Sequence, residues 1–209
     1  MDFIYERLKT ADHTKIEIVS GGNRYKGKIW REIAMQIYCE NGKDDYRDIG
    51  HFPSGAPFLY GADERISISH TDGCLIVATI KTPENVNLSE FSPQTALGVD
   101  VEKDDREKVM GLRERFLTPD ELKLVPEKSL EPNIIAWTCK EAMLKAGMNS
   151  EINWHTDIVI TNLPVIKTDG FSPDSATSGE GYIILGGNQI NLRLFSYRSE
   201  GYITTIAKS

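Results

Sequence analysis

In the stretch GVDVE (98–102) two carboxylates alternate with two valines. If this is a strand, Val99 and Val101 point to one face and Asp100 and Glu102 to the other. Carboxylates about 7 Å apart on one strand face repel unless something positive joins them. A strand end whose polar face meets water is one account of the pair. A hard divalent cation is another: Mg²⁺ takes oxygen ligands, keeps several waters and is held by a few carboxylates together with substrate phosphate. A second charged group lies in AWTCKEAMLKA (136–146), where Lys140, Glu141 and Lys145 sit on an otherwise apolar helix. Glu141 and Lys145, four residues apart, share a helix face and could form a surface ion pair contributing ~0.3–0.5 kcal/mol. Alternatively Glu141 completes a metal set with Asp100 and Glu102, and Lys145 faces the same phosphates as a point charge. Ser69-His70, next to a Thr71-Asp72-Gly73 turn, could offer hydrogen-bond donors to a phosphate, although a single histidine is more often structural.

The elements that must position these residues follow from periodicity. Ile29, Trp30, Ile33, Ala34, Ile37 and Tyr38 recur at helical spacing, which predicts an amphipathic helix over 24–41 with Lys26, Lys28 and Arg31 toward its start. Residues 42–61, with Pro53, Gly55 and Pro57, have loop chemistry. ERISISH (64–70) alternates with period two and CLIVATI (74–80) follows a turn, which predicts a hairpin. A strand is expected over 95–103 and a helix over 104–116. Thr118, Pro119 and Glu121 in TPDEL carry the signature of a helix start. After the helix bearing Lys140 and Glu141, strands are expected at 157–160, 181–185, 191–197 and 201–207, with a Gly/Ser/Asp-rich loop at 168–181. This order predicts an α+β protein of two similar-sized halves, 1–95 and 96–209, with the strand near residue 100 at their junction.

Composition excludes several classes. The chain has 209 residues, enough to bury a core without disulfide staples. No apolar run approaches the ~20 residues of a membrane span. The N-terminus lacks the apolar core of a secretory signal, so the cytoplasm is the expected location. A net charge of −7 argues against general nucleic-acid binding, which needs a positive surface. Cys39, Cys74 and Cys139 are too few and too scattered for a disulfide framework or a metal knuckle and are expected to be core residues.

ISISHT (66–71), LGVDVEK (97–103) and WTCKEAMLKA (137–146), in this order and with RERFLTPDEL (113–122) between the last two, resemble the motifs of the 4′-phosphopantetheinyl transferases. The resemblance implies Mg²⁺-dependent transfer of the 4′-phosphopantetheine arm of coenzyme A to a serine of an apo acyl or peptidyl carrier protein, releasing adenosine 3′,5′-bisphosphate. The length resembles that of the monomeric branch, in which two α/β halves are related by a pseudo-twofold and the active site lies at their junction. By resemblance Asp100, Glu102 and Glu141 match the metal-binding acids, Lys145 the catalytic lysine, and Ser69 and His70 positions that contact the coenzyme A phosphates. Glu141 also becomes the candidate base for the carrier serine. Lys140 matches a motif lysine whose role stays open. The chain departs from the pattern in SGAPFL (54–59), where Ala56 stands in place of an expected loop lysine; Arg24, Lys28 or Arg31 could replace it at the 3′-phosphate. Arg113 and Arg115 are candidate contacts for an acidic carrier protein. A metal-dependent phosphohydrolase and a catalytically silent coenzyme A-binding relative are the alternatives.

Overall fold

A computed structural model of the chain describes residues 4–9, 14–21, 27–41, 48–84, 86–148, 151–166 and 178–209. Its residues form two antiparallel sheets and a few helices. The first sheet comprises β1 (Ile4–Lys9), β2 (Lys15–Ser20), β3 (Ile49–His51), β4 (Pro57–Leu59), β5 (Glu64–Thr71) and β6 (Cys74–Lys81), in the order β1-β2-β6-β5-β4-β3. The second comprises β7 (Leu97–Lys103), β8 (Ile158–Asn162), β9 (Gly179–Leu185), β10 (Asn188–Ser199) and β11 (Tyr202–Lys208), in the order β7-β11-β10-β9-β8. The helices are α1 (Gly27–Glu40), the single turns α2 (Arg113–Phe116) and α3 (Glu121–Leu124), and α4 (Leu130–Gly147). Among the described residues no helix is long and apolar enough to cross a membrane.

Three apolar cores order these elements into layers. Trp30, Ala34 and Tyr38 of α1 pack on Val19, Ile66, Leu75 and Val77 of the first sheet. The other face of that sheet, with Ile16, Ile18, Ile76 and Ala78, meets Leu97, Val99 and Val101 of β7. The far face of the second sheet is covered by α4, whose Ile135, Ala142, Met143 and Ala146 pack with Ile183, Leu194 and Ile203. A helix that is apolar nearly all round has to be buried nearly all round, and α4 is.

The serines of β5 explain how the sheets join. The expected alternation holds, with Ile66 and Ile68 toward α1, but Ser67 and Ser69 are buried rather than solvated. β7 is an edge strand, and its outward N–H groups need acceptors. Ser67 Oγ accepts from Val99 N at 3.0 Å and Ser69 Oγ from Val101 N at 3.3 Å. Hydroxyls thus replace a backbone ladder between the sheets.

Several expectations shift. The segment read as a loop over 42–61 carries β3 and β4, each only three residues long and too short to show a period. The helix expected over 104–116 is a 3₁₀ stretch, Glu107–Leu112, followed by the single turn α2. β1 and β2 were not anticipated, because charged residues interrupt their alternation: Glu17 is buried in mid-strand, where Arg7 pairs with it at 2.6 Å. The helix expected from residue 24 begins at Gly27, and Arg24 and Lys26 lie outside the described residues. So does most of the segment read as a loop at 168–181, whose last residues belong to β9.

Arg65, buried on β5, fastens the connection between the sheets. It donates to Leu88 O at 3.0 Å and Glu90 O at 2.9 Å, and it also contacts the Met148 sulfur that follows α4. Replacing Arg65 with methionine keeps the volume but leaves these carbonyls without their donors. Arg65→Met is expected to lower stability by about 2 kcal/mol. Urea unfolding measures this, and an unchanged midpoint would exclude the role.

Candidate active site

The site begins with a close approach. A Cβ built on Gly98 would lie 1.8 Å from the Ala142 carbonyl oxygen and 2.6 Å from Ala146 N. Only glycine lets α4 lie this near β7. Because Gly98, Asp100 and Glu102 share a strand face, both carboxylates are turned toward the helix. Lys145, near the C-terminal end of α4, reaches back to the strand. Its Nζ donates to Asp100 Oδ1 at 2.8 Å, to Val99 O at 3.0 Å and to Ser69 Oγ at 3.0 Å. Ser69 in turn donates to Asp100 Oδ1 at 2.8 Å. Residues from β5, β7 and α4 thereby form one hydrogen-bonded cluster.

Asp100 Oδ2 is buried and has no hydrogen-bond partner. An orphaned carboxylate oxygen in an interior is unfavourable unless a donor or cation meets it. Glu141 lies nearby: burial raises the pKa of its carboxyl, and the charge of Asp100 raises it further, against Lys145 and Arg106. Glu102 is differently engaged. Its Oε1 accepts from Trp137 Nε1 at 3.2 Å and is ion-paired with Arg106, whose guanidinium stacks 5.4 Å from the Trp137 ring centroid. Among the described residues, no three acids, histidines or cysteines converge into a preformed metal cluster. The donor set nevertheless fits a hard cation: Asp100 Oδ2 has no partner, and the Glu141 carboxyl is close enough to feel the Asp100 charge. Glu102 belongs to the same strand face but is held by Arg106.

Two cavities flank this cluster and meet at His70. The larger, about 520 Å³, reaches Lys145 and Ser67 and is walled by Arg31, His51, Ala56 and Trp154 among others. The smaller, about 400 Å³, is lined by Glu102, Asp105, Arg106, Gly27 and Trp30 among others. The His70 imidazole is kept below its usual pKa by desolvation first, then by the positive charges of Arg31 and Lys145. The charges of Asp100 and Asp72 act in the opposite sense.

Of the sequence candidates, Ser69, Asp100 and Lys145 come together in direct contact. Glu141 adjoins them and His70 lines both cavities. Arg31 is on the wall of the larger cavity, whereas Lys28 is turned to solvent with Glu32 3.7 Å away. Lys140 has no part in the site. It is fully buried, pairs with Glu121 at 2.8 Å and donates to Ile158 O at 2.5 Å and Trp154 O at 3.1 Å. Glu121 also accepts from Ile160 N at 2.6 Å and Thr118 N at 2.7 Å, while Thr118 Oγ1 accepts from Glu121 N at 3.2 Å. The helix-start signature in TPDEL is therefore real, and the motif lysine fastens it to α4 and β8. Arg113 is likewise committed, donating to Val125 O at 2.8 Å; Arg115 is exposed. Cys139 is buried with its thiol pushed up to about 12, which removes it as a nucleophile. Sequence reasoning passed over Arg106 and the polar use of Trp137; the spacing of Arg106 four residues after Glu102 was the available signal.

No curated protein matches the chain. A family model described as the 4′-phosphopantetheinyl transferase superfamily matches residues 96–207, the span that contributes Asp100, Glu102, Glu141 and Lys145.

Proposed function

The chain belongs to the 4′-phosphopantetheinyl transferase superfamily, and from that premise we propose that it transfers the 4′-phosphopantetheine arm of coenzyme A to a serine of an apo acyl or peptidyl carrier protein. The observation that carries this reading is the Lys145–Asp100–Ser69 cluster at the edge of the larger cavity, with one Asp100 oxygen left unpartnered. A pyrophosphate needs a positively charged wall, an acid pair for a divalent cation and a route for an incoming hydroxyl. The carrier serine oxygen bonds to the phosphorus that bears the pantetheine arm, and the bridging P–O bond breaks. Adenosine 3′,5′-bisphosphate leaves with the electron pair. Lys145 stabilises the negative charge on the pyrophosphate and His70 contacts its oxygens, while Ser69, whose hydroxyl hydrogen goes to Asp100, holds Asp100 and Lys145 in place. Glu141 takes the serine proton. Mg²⁺ held by Asp100, Glu102 and Glu141 would neutralise charge on the bridging oxygens.

The protein acts as a monomer in this reading. Its halves, 1–95 and 96–209, are related by a pseudo-twofold and supply opposite walls of the coenzyme A cleft. In support, each sheet is drawn from one half and each half carries one long helix. Arg31 takes over the 3′-phosphate contact left by Ala56, which shares its cavity wall. Ala56→Lys is therefore expected to lower the KM for coenzyme A several-fold with little change in kcat. Initial-rate kinetics with a fixed carrier test this, and an unchanged KM refutes it. Arg115 is the remaining candidate for docking an acidic carrier.

The test of function is the intact mass of an apo acyl carrier protein incubated with the protein, coenzyme A and Mg²⁺, beside an EDTA control and Glu141→Gln. A gain of one phosphopantetheine arm that EDTA and the variant abolish supports the reading. No gain on several carriers despite coenzyme A binding favours the silent relative. Phosphate release without any carrier favours the phosphohydrolase.

A further inference from the structure

Of the three acids proposed to hold the metal, Asp100 and Glu102 each meet a side-chain cation. Lys145 lies on Asp100 at 2.8 Å, and Arg106 is paired with Glu102. The charge of Arg106 also bears on Glu141, so the guanidinium compensates two of the three acids. Its position is supported from both sides: Trp137 offers its ring to the guanidinium at 5.4 Å and its Nε1–H to the same Glu102 oxygen at 3.2 Å. The side chain is one-third exposed and borders the smaller cavity, so it has room to move, whereas Glu102 is only 12 % exposed.

We infer that Arg106 is a placeholder cation, which holds Glu102 in the metal-free enzyme and must be displaced before Mg²⁺ can take that carboxylate. The inference rests on the proposed role of Glu102 as a metal-binding acid. Arginine stays charged at any physiological pH, so it competes with an incoming cation for the carboxylate across that whole range. A divalent ion entering beside a seated guanidinium would be repelled by it. With Arg106 swung into the cavity, the Trp137 N–H still orients the freed carboxylate, as outer hydrogen-bond partners of metal ligands do. Arg106 is thus a positioning residue that sets the threshold for metal loading and offsets the charge of Glu102 until the metal takes it.

The competition is measurable without any transfer reaction. Mn²⁺ binding to the full chain, followed by the loss of free-ion electron paramagnetic resonance, should be about fivefold tighter in Arg106→Gln, the loss of one partly exposed ion pair. Arg106→Lys, which keeps the charge, should stay within about twofold of wild type. Diamagnetic Mg²⁺ gives a second readout in the wild type: the Trp137 indole N–H resonance, assigned with Trp137→Phe, should shift over the concentration range in which Mn²⁺ binds. Unchanged or weaker Mn²⁺ affinity in a folded Arg106→Gln protein overturns the inference. So does Mn²⁺ binding to wild type with no Mg²⁺-induced shift at Trp137, a result that needs no variant to fold. The two proposals fail separately. Carrier modification by wild type with unaltered metal affinity in the variant removes only the placeholder; tighter metal binding without modification of any carrier removes only the transferase reading.

Discussion

Gly98→Ala is expected to lower stability by about 3 kcal/mol and to cut transfer at least a hundredfold. The added methyl would lie 1.8 Å from Ala142 O and 2.6 Å from Ala146 N, both backbone atoms of a helix that cannot rotate out of the way. The whole of α4 must withdraw from β7. That movement opens the core in which Ala142, Met143 and Ala146 are fully enclosed. It also draws Lys145 Nζ away from Asp100 and Ser69, whose present separations of 2.8 Å and 3.0 Å leave no slack. A displacement of about 1 Å at reacting groups is enough for a hundredfold loss. Thermal unfolding and the mass assay read the two effects. A variant within 0.5 kcal/mol of wild type, the scatter of about ±0.5 kcal/mol typical of inconsequential substitutions, would show that the approach of helix and strand is not the constraint.

Lys145→Met separates chemistry from folding. The lysine has two tasks, neutralising a buried carboxylate and facing the pyrophosphate. Asp100 is 7 % exposed and Lys145 30 %, so removing the cation leaves a nearly buried charge with Ser69 as its hydrogen-bond donor. The stability loss is expected to be about 1–3 kcal/mol, below the figure for a fully buried pair because water reaches the lysine. Transfer is expected to fall by about 10²–10³, the scale of losing one group that stabilises transition-state charge. The double variant Lys145→Met, Asp100→Asn should recover most of the stability, since no unpaired charge remains, and none of the activity. Denaturant unfolding beside the mass assay decides between these. Recovery of transfer in the double variant would mean that Lys145 serves the fold alone. An unrestored midpoint would mean that the Asp100 charge was not the source of the loss.

Local pattern carried much of this protein. The alternation of Ile66 and Ile68 with Ser67 and Ser69, the valines of GVDVE and the Thr118–Glu121 capping signature each translate into the expected local geometry, because they depend on neighbours a few residues apart. The same logic failed where long-range pairing compensates an unfavourable local pattern. Glu17 looks wrong for a buried strand until Arg7 and Tyr5 are seen beside it. β3 and β4 are too short to show a period and exist because β5 offers them an edge.

Charge along a helix was the least transparent signal. Lys140, Glu141 and Lys145 belong to one motif, yet burial sends them to different tasks. Lys140 points into the core to Glu121, and Lys145 points to the strand. By itself the sequence determined the β5–β6 hairpin, the strands of the second sheet, the residue types of the acid–lysine constellation and its order along the chain, since these follow from periodicity and composition. Only the tertiary structure decided which cation meets which carboxylate. It brought Ser69 within 2.8 Å of Asp100 across 31 residues, left Asp100 Oδ2 bare and gave Glu102 to Arg106 rather than to its neighbours in the acid set. Partner choice among charges is a matter of distance and desolvation, and neither quantity exists until the backbone has closed around them.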